Sequence, residues 1–166
     1  SILAAGGNNV GLFTSPHLHS AVECIRVGLK PIGRRDFAAL VEQLWPAVEW
    51  VGQNGGHGAI TTFEMLVAMS LVHFNQIAAD FQVIEVGLGG RLDSTNIVSP
   101  EVCVITSISL DHMATLGSTV ERIAYEKAGI IKDGVPVVVA PQTDEALTVI
   151  RDIGAERDAP LVDVAT

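Results

Sequence analysis

The sequence has few cysteines, few basic residues and no long apolar run, and each shortage excludes a class of protein. Its two cysteines, Cys24 and Cys103, lie far apart in no metal-binding spacing, so they are interpreted as reduced, buried thiols of a cytoplasmic protein. Ten basic residues stand against 19 acidic ones, and no basic stripe is present, which excludes nucleic acid as a partner. The sequence also contains no signal peptide and no run near the ~18 apolar residues of a membrane span, so no membrane association is expected.

The chain contains enough apolar residues to fold. Hydrophobic residues make up 48% of its 166 positions, which favours a single domain with its own core and excludes a disordered chain. A monomer is expected. The first residues, SILAAGG, resemble the last turns of a helix, and LVDVAT follows directly on a strand-like run. We therefore expect residues 1–166 to be a piece of a longer protein, truncated at both ends.

Apolar runs alternate with amphipathic segments along the chain. Helices are predicted over 35–53 from three- and four-residue spacing, over 62–75 after the Thr61-x-x-Glu64 capping box, from Ser118-x-x-Glu121 to Gly129, and over 144–153. Trp45, Trp50, Met65 and Met69 are expected in the core. A loose hairpin is predicted over 23–32, and strands over 10–15, 81–87, 101–108, 135–140 and 161–164. This alternation predicts an α/β fold with a mostly parallel sheet flanked by helices on both faces.

Three of these strands end in polar residues. Ser15 is the last residue of the first, Glu85 lies near the end of the second, and Asp111 and His112 follow the third. Ligands of such sheets bind outside the carboxyl ends of the strands, so a site is predicted there. His112 taken alone is equally well explained as an ordinary loop residue.

The segment EVGLGGRLDSTN (85–96) has two open interpretations. Its glycines do not complete the dinucleotide motif G-x-G-x-x-G, because Leu92 holds the last position. They permit either a plain sharp turn or a close approach of the backbone to a ligand. Glu85 stands among apolar residues, where a carboxylate needs a cationic partner, which Arg91 or a metal ion would supply.

Lys127 falls on the apolar face of its predicted helix, together with Ile123, Ala124 and Ala128. A lysine in that position either extends its ammonium into water or faces a site where its charge is cancelled. The residues alone leave both interpretations open.

Five stretches together resemble the folylpolyglutamate synthase/dihydrofolate synthase family, relatives of the Mur ligases. These stretches are GLFTSPHL (11–18), TTFE (61–64), EVGLGGRLDSTN (85–96), ITSISLDHMATLG (105–117) and IAYEKAGIIK (123–132). The resemblance implies a P-loop-like, Mur-ligase central domain that binds ATP. It also implies formation of an amide between L-glutamate and dihydropteroate or folate through an acyl phosphate.

The resemblance also implies roles for individual residues. Ser15 and Glu85 would hold one Mg²⁺ ion, and His112 and a carbamylated Lys127 a second, so that Glu85, His112 and Lys127 are the expected catalytic residues. We expect the four ligands to converge at one edge of the sheet. The pterin pocket is implied to contain Phe63 stacked on the ring and Asp93 bonded to its polar edge, lined by Thr61, Pro16, His17 and Leu18.

Some parts of the family pattern are absent from the sequence. The phosphate-binding loop and the C-terminal domain are missing, and Cys24 stands where the family usually has Arg. We therefore expect residues 1–166 alone to be a partial central domain without ligase activity. The alternatives are a Mur-type or other amino-acid ligase with a different acceptor, and a folded remnant that does not catalyse.

Overall fold

The computed structural model describes residues 2–56 and 58–164, and these form two compact units. One unit extends to Gly87 and the other begins at Leu88. Among the described residues, no helix is long and apolar enough to cross a membrane.

The first unit is built on a mixed four-stranded sheet in the order β3-β2-β1-β4. Strand β1 (Val10–Phe13) runs parallel to β4 (Phe81–Ile84), and the antiparallel hairpin β2 (Ile25–Val27) and β3 (Lys30–Pro31) extends the other side. The α-helices of this unit are α1 (Ile2–Ala5), α2 (Arg34–Asn54) and α3 (Thr62–Gln76). The predicted hairpin and the two long helices are confirmed.

The core of the first unit forms where α3 packs on the sheet. Phe13, Ile25, Met69 and Phe74 are almost fully buried. A β-carbon on Gly11 would come within 2.5 Å of the Phe74 ring. The ring can therefore pack directly on β1 only because glycine occupies this position. The expectation of core positions is correct for Met69, whereas Met65 is only partly buried.

The two tryptophans of α2 contradict the expectation that they belong to the core. Trp45 is 51% and Trp50 64% exposed. Leu40 is the buried residue of this helix, so most of the helix surface, including both tryptophans, faces solvent at least in part. The helix continues through Pro46 to Asn54.

The second unit is built on a parallel three-stranded sheet in the order β5-β6-β7. The strands are β5 (Cys103–Ile105), β6 (Val137–Val139) and β7 (Leu161–Asp163), and its helices are α4 (Met113–Leu116), α5 (Val120–Ala128) and α6 (Asp144–Glu156). Ile123, Ile131, Val137, Val139 and Ile150 form a fully buried core beneath them.

Two predictions about the fold are corrected. The α/β class is right, but the strands form two separate sheets, and the first of them is mixed because β2 and β3 join it antiparallel. The start of α5 is also displaced by one residue from the predicted Ser118–Glu121 box. Thr119 is the N-cap, and its hydroxyl accepts from the Arg122 N–H at 3.3 Å.

Candidate functional site

Ser15 and Glu85 lie side by side beyond two neighbouring parallel strands. Phe13 of β1 is paired in register with Ile84 of β4, so the residues that follow leave the sheet at the same edge. The Ser15 N–H donates to Glu85 Oε2 at 2.8 Å, and the Glu85 N–H donates to the Phe13 carbonyl at 3.0 Å. The geometry therefore brings together the serine and the carboxylate that the family resemblance implies as ligands of one ion.

The Glu85 carboxylate is exposed, although its apolar neighbours in sequence predicted burial. The reason is that β4 is the last strand of its sheet, and Val83 on it is itself 41% exposed. Within the described part of the chain, only the Ser15 N–H donates to this carboxylate. Since Oε1 has no such donor, it keeps its full capacity to bind a cation.

The loop after Ser15 is held by Glu23. The Glu23 carboxylate accepts from the backbone N–H groups of Leu18, His19 and Ser20 at 3.0–3.4 Å. These bonds, that of Leu18 foremost, lower the pKa of Glu23. Sequence reasoning missed this residue, although Ser20-x-x-Glu23 carries the spacing of a capping box.

The residues expected in the pocket from this loop are exposed. Pro16 follows a cis peptide bond, and Leu18 is 85% exposed. The ring of His17 contacts the buried thiol of Cys24, with 3.9 Å between Nδ1 and Sγ. The Cys24 side chain therefore lies beneath the loop, covered by His17, and does not face solvent.

Thr61 and Phe63 begin α3. Thr61 is its N-cap and forms the predicted box with Glu64, whose carboxylate accepts from the Thr61 N–H and hydroxyl at 2.7 Å. The ring of Phe63 is half-buried and lies 6.0 Å from the Phe13 ring, centroid to centroid. A β-carbon on Gly87 would overlap the Phe63 ring, so this glycine gives the ring its space.

Asp93 organises the turn after the glycines. Its Oδ2 accepts from the Leu88 N–H at 2.9 Å, and its Oδ1 accepts from the N–H and hydroxyl of Thr95. The carboxylate thereby caps a short 3-10 helix, Ser94–Ile97. Because a carboxylate offers about four acceptor sites, this structural role leaves capacity for a ligand.

The remaining glycines of the segment pack against the helices of the second unit. A β-carbon on Gly90 would lie within 3.0 Å of two carbonyl oxygens of α5 and of the Ile130 side chain that follows it, and one on Gly89 would lie 2.9 Å from the Leu116 side chain. Gly89 also has a φ of +68°, which favours glycine. At these two positions the lack of a side chain allows the segment to pack closely against other parts of the same unit.

Arg91 secures the same contact. Its N–H donates to the Glu126 carbonyl at 2.8 Å, and its guanidinium forms a two-pronged ion pair with the Glu126 carboxylate at 3.0 and 3.2 Å. The guanidinium also lies 5.7 Å from the centre of the Tyr125 ring. The partner of the Arg91 guanidinium is therefore a carboxylate of α5.

His112 has an unusual backbone conformation. It is the N-cap of α4 with a φ of +50°, in the left-handed region that few side chains adopt. Its backbone N–H donates to Asp111 Oδ1 at 2.7 Å, and its imidazole is 58% exposed. Such backbone positions concentrate at functional sites.

Lys127 is in the last turn of α5, half-buried beside the buried Ile123, Ala124 and Ala128. The placement on the apolar face is confirmed. Within the described part of the chain, no acceptor or carboxylate binds its ammonium. A cation there interacts favourably with the helix dipole, yet it has no specific partner.

The predicted ligands differ in how well they suit Mg²⁺. The Ser15 hydroxyl and the Glu85 carboxylate are oxygen donors, as Mg²⁺ prefers. His112 offers a nitrogen, and Lys127 is a cation that must lose its positive charge before it can bind a metal. The described residues include no cluster of three or more His, Cys, Asp and Glu side chains suited to a metal ion.

Comparison with known proteins shows what this arrangement is similar to. Residues 38–166 match the family model of the Mur ligase middle domain. The chain is 47% identical over 161 residues to a dihydrofolate synthase/folylpolyglutamate synthase of Bacillus subtilis, covering 96% of this chain and 37% of that protein.

Solved structures share the fold, and these include two that were obtained with bound nucleotides. A folylpolyglutamate synthase bound to AMPPCP and folate has a TM-score of 0.92 and 37% identity, over 98% of this chain and 40% of that one. A Mycobacterium tuberculosis folylpolyglutamate synthase with ADP and AMPPCP has a TM-score of 0.92 and 35% identity, over 98% of this chain and 38% of that one. The chain thus spans about two fifths of the length of these relatives. It belongs to the folylpolyglutamate synthase/dihydrofolate synthase family, and its residues 38–166 match the Mur ligase middle domain.

Proposed function

We propose that this chain is the central part of an ATP-dependent ligase that adds L-glutamate to dihydropteroate, to folylpolyglutamate, or to both. The contact between Ser15 and Glu85 at the ends of two parallel strands is the single observation that carries this proposal. The relatives' names and their complexes with AMPPCP and folate support it. Because the chain spans about two fifths of those relatives, the activity belongs to a longer protein.

In the proposed reaction, a carboxylate oxygen of the folate substrate attacks the terminal phosphorus of ATP, and ADP leaves. The amino group of glutamate then attacks the carbonyl carbon of the acyl phosphate, and phosphate leaves as the amide forms. Bound Mg²⁺ would neutralise negative charge on the transferred phosphoryl group. Ser15 and Glu85 would hold one such ion, with Glu85 Oε1 free to do so.

His112 and Lys127 would hold the second ion after Lys127 has been carbamylated. The reaction adds carbon dioxide to the neutral amine, which loses a proton and becomes an anionic oxygen ligand. Support comes from an ammonium on an apolar helix face without a partner in the described residues, and from the left-handed backbone at His112. Mass spectrometry under native conditions with ¹³C-bicarbonate tests this: label that is absent at Lys127 with Mg²⁺ and ATP bound would count against the carbamate.

The pterin is proposed to stack on Phe63, with Thr61, Pro16, His17 and Leu18 around it. Gly87 supports this because it places no side chain of its own against the Phe63 ring. Asp93 would accept from the polar edge of the pterin at its one remaining acceptor site, while its turn keeps the carboxylate fixed.

The test uses a longer protein that carries this chain, with ATP, Mg²⁺ and L-glutamate. ADP release is measured with dihydropteroate, with a folate monoglutamate, and with a nucleotide-linked sugar peptide as the Mur-type acceptor. The proposal expects release with one or both pteridines and a product heavier by one glutamyl residue. Release with the sugar peptide alone would favour the Mur-type alternative, and release with none would favour a non-catalytic remnant.

A further inference from the structure

Three basic side chains and one carboxylate line a groove of about 530 Å³ in the second unit. The cations are Arg91, Lys132 and Arg157, and the carboxylate is Asp133. The chain has only ten basic residues and a formal net charge of −9, so three cations at one groove are a marked local excess. The groove contains none of the residues assigned above to the metal ions or the pterin.

The charge of Arg91 is already matched by Glu126, whereas the other two cations have neutral partners only. The Lys132 ammonium donates to the Asn96 carbonyl at 2.8 Å. The Arg157 Nη1 group donates to the carbonyls of Ile131 and Gly129. No carboxylate among the described residues forms an ion pair with either cation. Carbonyl dipoles do not cancel a full charge, so two positive charges remain.

Lys132 and Arg157 line the same groove and act on the same buried thiol. Burial raises the pKa of the Cys103 thiol, and Lys132 and Arg157 both act against that rise. Hydrogen bonds place the two cations beside each other: Lys132 donates to the Asn96 carbonyl, the Asn96 amide donates to the Gly129 carbonyl, and that carbonyl also accepts from Arg157 Nη1. Lys132 retains two N–H donors and Arg157 three, on Nε and Nη2, without acceptors in the described part of the chain. The backbone bonds restrict both side chains, which lowers the entropy cost of binding a ligand.

We propose that this groove binds a small multivalent oxyanion between Lys132 and Arg157. A ligand with several phosphate or carboxylate oxygens matches the compact ammonium and the planar guanidinium donors. The role is independent of the proposed ligase activity, because no residue is shared and binding does not require turnover.

The experiment titrates the 166-residue chain at low ionic strength with inorganic phosphate, tripolyphosphate and citrate. Calorimetry gives the affinity, and ¹H–¹⁵N spectra locate the site. We expect saturable binding of tripolyphosphate or citrate, with shifts at the amides of Lys132, Asp133 and Arg157, that weakens as salt is added. The stronger of the two identifies phosphate or carboxylate as the natural group.

Variants separate this site from general attraction to positive charge. Lys132→Gln should weaken binding at least ten-fold, whereas Lys30→Gln, which removes the same charge from the exposed strand β3, should not. Asp133→Asn removes the negative charge from the groove but leaves the backbone bonds of both cations intact, so it should tighten anion binding several-fold. This variant tests the proposal if Lys132→Gln folds poorly. The proposal is overturned if none of the anions binds saturably, if shifts map elsewhere, or if folded variants bind as the original chain does.

Discussion

A β-carbon on Gly90 would lie 2.9 Å from the Lys127 carbonyl oxygen and 2.7 Å from the Ile130 side chain. The glycine segment and the helix that carries Lys127 therefore meet backbone to backbone. A β-carbon on Gly129 would in turn overlap Arg91, so the contact needs a glycine on each side. Asn96 adds hydrogen bonds to the Arg91 and Gly129 carbonyls at 3.0 and 3.2 Å.

Gly90→Ala is expected to destabilise the chain by about 1–3 kcal/mol, because the added methyl group has to displace backbone atoms of α5. Chemical denaturation, followed by circular dichroism, measures the change. Gly154→Ala is the matched control in the same unit, since its β-carbon would meet nothing closer than 3.7 Å. Equal midpoints for Gly90→Ala and the unaltered chain would show that the close packing is not real.

The loop 18–20 is expected to respond to acid through Glu23. The pKa of Glu23 is lowered in the folded chain, so the three backbone bonds persist as pH falls below the ordinary glutamate range. They are lost only as pH passes the lowered pKa. The amide proton shifts of Leu18, His19 and Ser20 should titrate together with that single low pKa, and Glu23→Gln should abolish the common titration. Separate pKa values for the three amides would contradict the shared carboxylate.

Both cysteines are expected to react slowly with thiol reagents. Cys24 and Cys103 are buried, and burial raises the pKa of each thiol, so little thiolate is present or reachable near neutral pH. A chromogenic disulfide reagent should detect two thiols only after denaturant is added. Fast reaction of either thiol in the native chain would mean that its side chain is accessible.

Local signals in the sequence predicted the helices and strands well. Thr61 caps α3 as expected and Thr143 caps α6 in the same way, because the bond between a hydroxyl and an N–H three residues later depends only on residues close in sequence. The displaced cap at Thr119 arises where two candidate hydroxyls, Ser118 and Thr119, stand next to each other. Periodicity alone cannot choose between neighbours of that kind.

Long-range features were harder to predict. The split into two sheets depends on which strand edges pair, and apolar runs carry no such information. The exposure of Trp45 depends on how little of α2 packs, which its amphipathic pattern does not reveal. The neutral carbonyl partners of Lys132 and Arg157 come from distant turns, and no motif marks them.

The most direct test of the central claim, that Glu85 is a magnesium ligand of a glutamate ligase, is the Glu85→Gln variant of a longer protein carrying this chain. Glutamine retains an oxygen for the Ser15 N–H but removes the negative charge that would bind the metal. The measurement is ADP release against Mg²⁺ concentration, with Glu42→Gln on the exposed face of α2 as the control. The account predicts a loss in kcat/KM of at least about 100-fold and a higher Mg²⁺ requirement for Glu85→Gln alone. Unchanged rates for Glu85→Gln at every Mg²⁺ concentration would contradict it.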